Sequence, residues 1–242
     1  MIKRLATVSL LCAGFVLAGA AGWWVGRGIH GGRGSHAGAP VLGRAPSYHG
    51  LVNQLGQAVN SSQFRGKVQV VTFLFPYCTT YCPLIAAHLV GLENLLKDLG
   101  DQNRVQIVAF NVDPSGTGPA QMRAFLKEYG WNPKDLHWQY LTGKPDRIRR
   151  VVRDGFHIAY QRVADQGGPS SADQGPAQTP QPEVVNPLAQ QAHVGYDVTH
   201  NDGLILVDPH GRVRAIYDQA DVVSNRRLLK AIEPLLARAG RS

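Results

Sequence analysis

The run Val68-Gln69-Val70-Val71-Thr72-Phe73-Leu74-Phe75 carries no charged residue and is dominated by β-branched and aromatic side chains. That composition predicts a buried strand, which commits the chain to a layered core around it. The strand runs into Pro76-Tyr77-Cys78-Thr79-Thr80-Tyr81-Cys82-Pro83. Beyond it Ile85, Leu89, Leu92, Leu96 and Leu99 step by four and three, the spacing of one helix face over about 83–99. Gly100 is placed to stop that helix. Two thiols therefore stand where a buried strand turns into a helix.

The rest of the chain continues the alternation. Leu51–Val59 reads as a short hairpin with its turn near Gly56, and Val105–Val112 as a second apolar strand. Pro119–Tyr129 reads as a helix opened by proline, Trp138–Leu141 as a strand, Pro145–Arg153 as a helix and His157–Val163 as a strand. Residues 164–192, rich in Gly, Pro, Ser, Gln and Asp, read as a disordered insertion. Order returns at Val194–Thr199 and Leu204–Val207. The turn Asp208-Pro209-His210-Gly211 then leads to a strand Val213–Tyr217 and a closing helix near 222–238. Strands alternating with helices, followed by a strand pair and a helix, predict an α/β fold with a central mixed sheet flanked by helices.

The N-terminal region is of another kind. Residues 5–25 hold no charged side chain, with Lys3 and Arg4 before them and Trp23 and Trp24 near their end. At about 1.5 Å per residue such a helix matches a hydrocarbon core of about 30 Å, and the tryptophans suit the interface. An uncleaved transmembrane anchor and a signal peptide cleaved near Ala18-Gly19-Ala20 both fit, and the length favours the anchor. Residues 1–4 would then be cytoplasmic, 26–50 a flexible linker, and 51–242 the folded domain on the periplasmic side of the inner membrane. In that oxidising compartment a thiol pair can cycle or be metallated.

The formal charge is +8 over 242 residues. Seven of the basic residues precede Glu93, the first acidic one, so the excess belongs to the N-terminal part. It suits an anionic membrane surface. Nucleic-acid binding lacks its usual sign, a basic stripe interleaved with aromatics.

Chemistry concentrates on Cys78 and Cys82, because Cys12, the third cysteine, lies within the apolar segment. Positions i and i+4 on a helix bring Cβ atoms about 5–6 Å apart, and a helix N-terminus favours thiolate. The pair can form a disulfide, attack one, or hold a soft metal. Two thiolates and one imidazole suit Cu(I), whereas tetrahedral zinc needs four ligands. His88 is poorly placed, six residues along the helix from Cys82, and His157 and His210 read as structural. His200 reaches the thiols if strand 204–207 lies beside strand 68–75. His193, seven residues earlier, would face the other way on a continuous strand.

These motifs together resemble the Sco/SenC family of thioredoxin-like copper proteins. The matching features are Phe64-x-Gly66-Lys67, Cys78-x3-Cys82-Pro83, Val112-Asp113-Pro114, Leu141-Thr142-Gly143, Tyr196-x3-His200 and Asp208-Pro209-x-Gly211, in order over residues 51–240. The resemblance implies a thioredoxin-like fold and copper ligation by Cys78, Cys82 and His200. It implies a metallochaperone that delivers copper to cytochrome c oxidase subunit II. The family usually has proline directly after the first cysteine; here Thr79, Thr80 and Tyr81 fill the gap. A rival reading is a thiol–disulfide oxidoreductase acting on exported cysteine pairs, with Cys78 and Cys82 as its catalytic residues.

Overall fold

The computed structural model describes residues 40–132, 137–164, 186–192 and 195–239. The proposed anchor (5–25), most of the linker, His193 and the larger part of the insertion lie outside them. Among the described residues no helix is long and apolar enough to cross a membrane.

The elements in chain order are β1 (Gly43–Arg44), β2 (Leu51–Val52), β3 (Ala58–Val59), β4 (Val68–Leu74), α1 (Tyr81–Asp98), β5 (Val105–Asn111), α2 (Pro119–Glu128) and β6 (Trp138–Leu141). There follow α3 (Pro145–Arg149), β7 (Tyr160–Ala164), α4 (Pro187–Ala192), β8 (Tyr196–His200), β9 (Leu204–Val207), β10 (Arg212–Tyr217) and α5 (Asn225–Ala239). Six strands form one mixed sheet in the order β1-β10-β9-β4-β5-β6. β4, β5 and β6 are mutually parallel and joined by helical crossovers, whereas β9 is antiparallel to β4 and β10 is antiparallel to β9. This is the expected α/β fold with a central mixed sheet.

The sheet centre explains why β4 carries no charge. Val68, Val70, Val71, Phe73 and Leu74 are all buried, and β5 is buried along its whole length. On α1, Ile85, Leu89, Leu92 and Leu96 face the core, and α1 packs against α5. Leu99, read as the fifth member of that face, is 59% exposed. The helix has ended before it: Gly100 takes φ +74°, donating to Lys97 O, while Asp101 N–H reaches Leu96 O. That reversal in the left-handed region, which glycine enters freely, ends the helix. Phe73, Phe110 and Phe156 form an aromatic cluster with ring centroids 5.7–6.1 Å apart, joined by Tyr48 edge-on to Phe110 at 5.3 Å.

Several boundaries differ from the sequence reading. The folded domain starts earlier than Leu51. β1 pairs with β10 through Gly43↔Val213 and Arg44↔Arg212, and Tyr48 is a core residue. A strand held by backbone bonds at a sheet edge needs no apolar alternation, so a Gly- and Pro-rich stretch concealed it. Helix α3 continues as a π-helical turn over Arg150–Gly155, and β7 starts at Tyr160 rather than His157, which has φ 60°. The stretch read as an insertion over 164–192 is structured at both of its ends. Ala164 belongs to β7, and Asn186 is buried ahead of α4. Capping by the Asn186 side chain starts this helix where composition signals none.

Candidate functional site

β4 ends at Leu74, whose carbonyl accepts a 2.9 Å hydrogen bond from the buried Tyr140 hydroxyl. The chain then turns: Cys78 N–H donates to Phe75 O (3.1 Å), and Tyr81 begins α1. Cys82 lies in the first turn of α1, with Pro83 after it, where the missing N–H costs nothing. Phe75 N–H points at Cys82 Sγ at 3.4 Å. Both cysteines are unpaired and buried, Cys78 5% and Cys82 0% exposed.

His200 arrives from 118 residues away in sequence, with Nε2 3.5 Å from Cys82 Sγ. The sheet register accounts for this. β9 runs antiparallel to β4 with Thr72 opposite Leu204, so the start of β9 lies at the exit of β4. The Thr72 hydroxyl also donates to Gly203 O at 3.3 Å. His200 itself ends β8, paired with Tyr160 of β7. Its Nδ1 is 3.0 Å from Asn201 O. A carbonyl only accepts, so Nδ1 carries a hydrogen and Nε2 is the nitrogen that faces Cys82. A metal-binding imidazole commonly has this orientation, its other nitrogen donating to a backbone carbonyl.

The two thiols are electrostatically unlike. Cys78 is lowered to about 6, chiefly by a hydrogen bond from the Cys82 thiol. Burial opposes that shift, and the Thr80 hydroxyl, 3.5 Å from Cys78 Sγ, and the charge of His200 reinforce it. Burial pushes Cys82 well up, and its neighbour Cys78 pushes it further. The Cys78 sulfur thus favours the thiolate and the Cys82 sulfur the thiol. Among the described residues no three or more His, Cys, Asp or Glu side chains are arranged, as found, to hold a metal ion.

Two further groups of residues hold the site. Asp113, 2% exposed, follows β5. Its Oδ1 accepts from Arg162 Nε (2.9 Å) and Nη2, and its Oδ2 accepts from the Tyr196 hydroxyl (2.7 Å). Arg162 of β7 lies over the Tyr196 ring at 4.4 Å, and that ring stacks on Phe75 at 6.0 Å. The cluster fastens the β7–β8 pair, and with it His200, to the end of the sheet. Gly116 fits against it because a Cβ there would collide with Tyr196 Oη, Asp113 Oδ2 and Arg162 Nη2. The second is Asn186, hydrogen-bonded to the carbonyls of Pro76 and Cys78. Val112-Asp113-Pro114 and Tyr196-x3-His200 were visible as motifs; the partners Arg162 and Asn186 had no sequence signal.

Among the described histidines, His200 is the one hydrogen-bonded to a cysteine. His88 is half-buried further along α1, His157 is exposed ahead of β7, and His210 is exposed in the turn between β9 and β10.

Comparison with known proteins follows the same lines. The SCO1/SenC family profile matches residues 44–175, a span that includes both cysteines, Asp113 and Arg162 and stops short of His200. The SCO1 protein homolog of Bacillus subtilis (strain 168) is 35% identical over 92 residues, 38% of this chain and 45% of that protein. The chain spans about half the length of the curated relatives it matches first. The solved structure of BsSco, described as having a disulfide switch and as a member of the Sco family of cytochrome c oxidase assembly proteins, superposes with a TM-score of 0.58. Its identity is 22%, covering 82% of this chain and 97% of that one. Arabidopsis thaliana ScoI, solved with copper bound, gives a TM-score of 0.59 at 18% identity over 80% of this chain and 98% of that one. These structures have the same thioredoxin-like α/β fold with a central mixed sheet. With the profile covering more than half of its length, the chain belongs to the SCO1/SenC family.

Proposed function

We propose that this protein is a membrane-anchored copper metallochaperone for assembly of the cytochrome c oxidase copper centre, its cargo held by Cys78, Cys82 and His200. The observation that carries the reading is the contact of His200 Nε2 with Cys82 Sγ, with Nδ1 committed to Asn201 O. It joins a soft sulfur and an available imidazole nitrogen, the donor set that suits Cu(I). The lowered Cys78 supplies a thiolate at neutral pH. Binding would draw its sulfur toward the Cys82–His200 pair and release the Cys82 proton. A site of three ligands on a loop, a helix start and a strand end lets an incoming thiolate replace one ligand at a time. Copper is bound in the solved Arabidopsis relative, and BsSco belongs to a family of oxidase assembly proteins. Subunit II as recipient, the anchor at 5–25 and the periplasmic placement of the domain belong to the same proposal.

The test is anaerobic Cu(I) titration of the reduced full chain beside Cys78→Ser, Cys82→Ser and His200→Ala. All three variants should lose tight binding, His200→Ala by at least the ~10–100-fold typical of lost second-sphere support. His200→Ala should still form the Cys78–Cys82 disulfide. A His200→Ala protein that binds as tightly as the parent refutes the three-ligand site.

A second reading has its own support in the unequal thiols. A nucleophilic Cys78 with a protonated Cys82 as resolving partner is the arrangement of a thiol–disulfide oxidoreductase. Reduction of a mixed disulfide substrate by the parent, unchanged in His200→Ala, together with no Cu(I) binding, would favour it.

A further inference from the structure

Asn186 uses the full hydrogen-bonding capacity of its amide at the cysteine loop. It is 2% exposed. Nδ2 donates one hydrogen to Pro76 O (3.0 Å) and the other to Cys78 O (2.7 Å). Oδ1 accepts from the backbone N–H groups of Leu188 (3.1 Å) and Ala189 (3.3 Å), capping α4. Two donors and two acceptor positions are all an asparagine side chain offers. Pro76 and Cys78 bracket the bend between β4 and the cysteine turn, and neither carbonyl belongs to a strand or helix. Fixing both peptide planes fixes the direction in which Cys78 leaves the backbone. In a buried site an unmet carbonyl is costly, so the loop is held in the geometry that meets the amide.

We propose that Asn186 is a positioning residue that clamps the cysteine loop in its copper-ready dithiol conformation, tying that conformation to the folded end of the insertion. The copper half of this statement rests on the function proposed above; the loop half does not. The amide is required because serine or aspartate at this position still caps the helix but cannot give two hydrogens to two carbonyls. The clamp is formed with both thiols free, so its loss removes support from the dithiol form.

The experiment compares the full-length parent with Asn186→Ser and Asn186→Asp. Serine keeps the cap and adds no charge beside the thiols. Three quantities are read: Cu(I) affinity, the thiol–disulfide equilibrium of Cys78–Cys82 against glutathione, and the thermal midpoint. In that equilibrium the two thiols lose two electrons and two protons to glutathione disulfide, which becomes two glutathiones. Asn186→Ser should weaken Cu(I) binding about tenfold and shift the equilibrium at least threefold toward the disulfide, with a cooperative unfolding transition retained. Parent-like equilibrium and affinity in Asn186→Ser would overturn the proposal. So would a shift seen only in Asn186→Asp, which would trace to the added charge. If Asn186→Ser loses its cooperative transition, Asn186→Asp decides: parent-like behaviour there overturns the clamp. If the parent binds no Cu(I), the copper reading fails while the glutathione measurement still tests the clamp.

Discussion

The ionisation of Cys78 is open to direct titration. Its thiol is lowered from an ordinary 9.0 to about 6, the largest cause being the hydrogen bond from Cys82. At pH 7 a group at about 6 is roughly 90% thiolate, whereas one at 9.0 is roughly 1%. Absolute alkylation rates are a poor readout, because a low-pKa thiolate is intrinsically less nucleophilic and this sulfur is buried. The diagnostic quantity is the rate at each pH relative to its own alkaline plateau. Iodoacetamide alkylation of the anaerobically reduced full chain, mapped by peptide mass between pH 4 and pH 9, should place Cys78 near its plateau at pH 7. Cys82, pushed up by burial, should stay unreactive across that range. Cys82→Ala removes the largest stabiliser of the thiolate, so the Cys78 midpoint should rise. His200→Ala removes a smaller one and should raise it less. A parent rate at pH 7 below about a tenth of plateau, or no rise in Cys82→Ala, refutes the assignment of Cys78 as the ionised sulfur.

Other consequences are as direct. Asp208 is 2% exposed and accepts from Arg212 Nε (2.8 Å) and Arg214 Nη1 (3.2 Å), Arg214 being itself buried. Asp208→Ala should cost about 3–5 kcal/mol in denaturant unfolding, the range for breaking a buried ion pair. Burial alone would raise the Asp208 carboxyl, but the Arg212 and His210 N–H groups and the Arg212 guanidinium lower it below its ordinary value of 3.8. Its contribution should be full above about pH 4 and lost as pH falls through the lowered value, and Asp208→Asn should flatten that acid limb of the thermal midpoint. Gly116→Ala should push Tyr196, Asp113 and Arg162 apart. It should weaken Cu(I) binding while leaving the alkylation midpoint of Cys78 within about half a pH unit of the parent; unchanged Cu(I) affinity would show that the cluster does not position His200.

What was legible in the sequence was local in origin. The buried character of β4, the helix stop at Gly100 and the thiols at a strand-to-helix junction follow from side-chain size, charge and backbone freedom over a few residues. Those terms act alike in a peptide and a protein, so composition and spacing reported them. The ordered motifs also carried the family.

Tertiary structure decided whatever depends on which segments meet. Cys82 and His200 touch because β9 pairs antiparallel with β4, a register set by burial of both strands in one sheet. β1 was concealed because its edge pairing uses backbone groups that every residue has. The inequality of the two thiols arises from burial, from one sulfur's hydrogen bond to the other and from an imidazole brought from far along the chain, none of which the Cys-x3-Cys spacing encodes. Arg162 and Asn186 are an ordinary strand arginine and an ordinary loop asparagine in sequence. They gain their roles from where folding leaves a buried carboxylate and two unmet carbonyls.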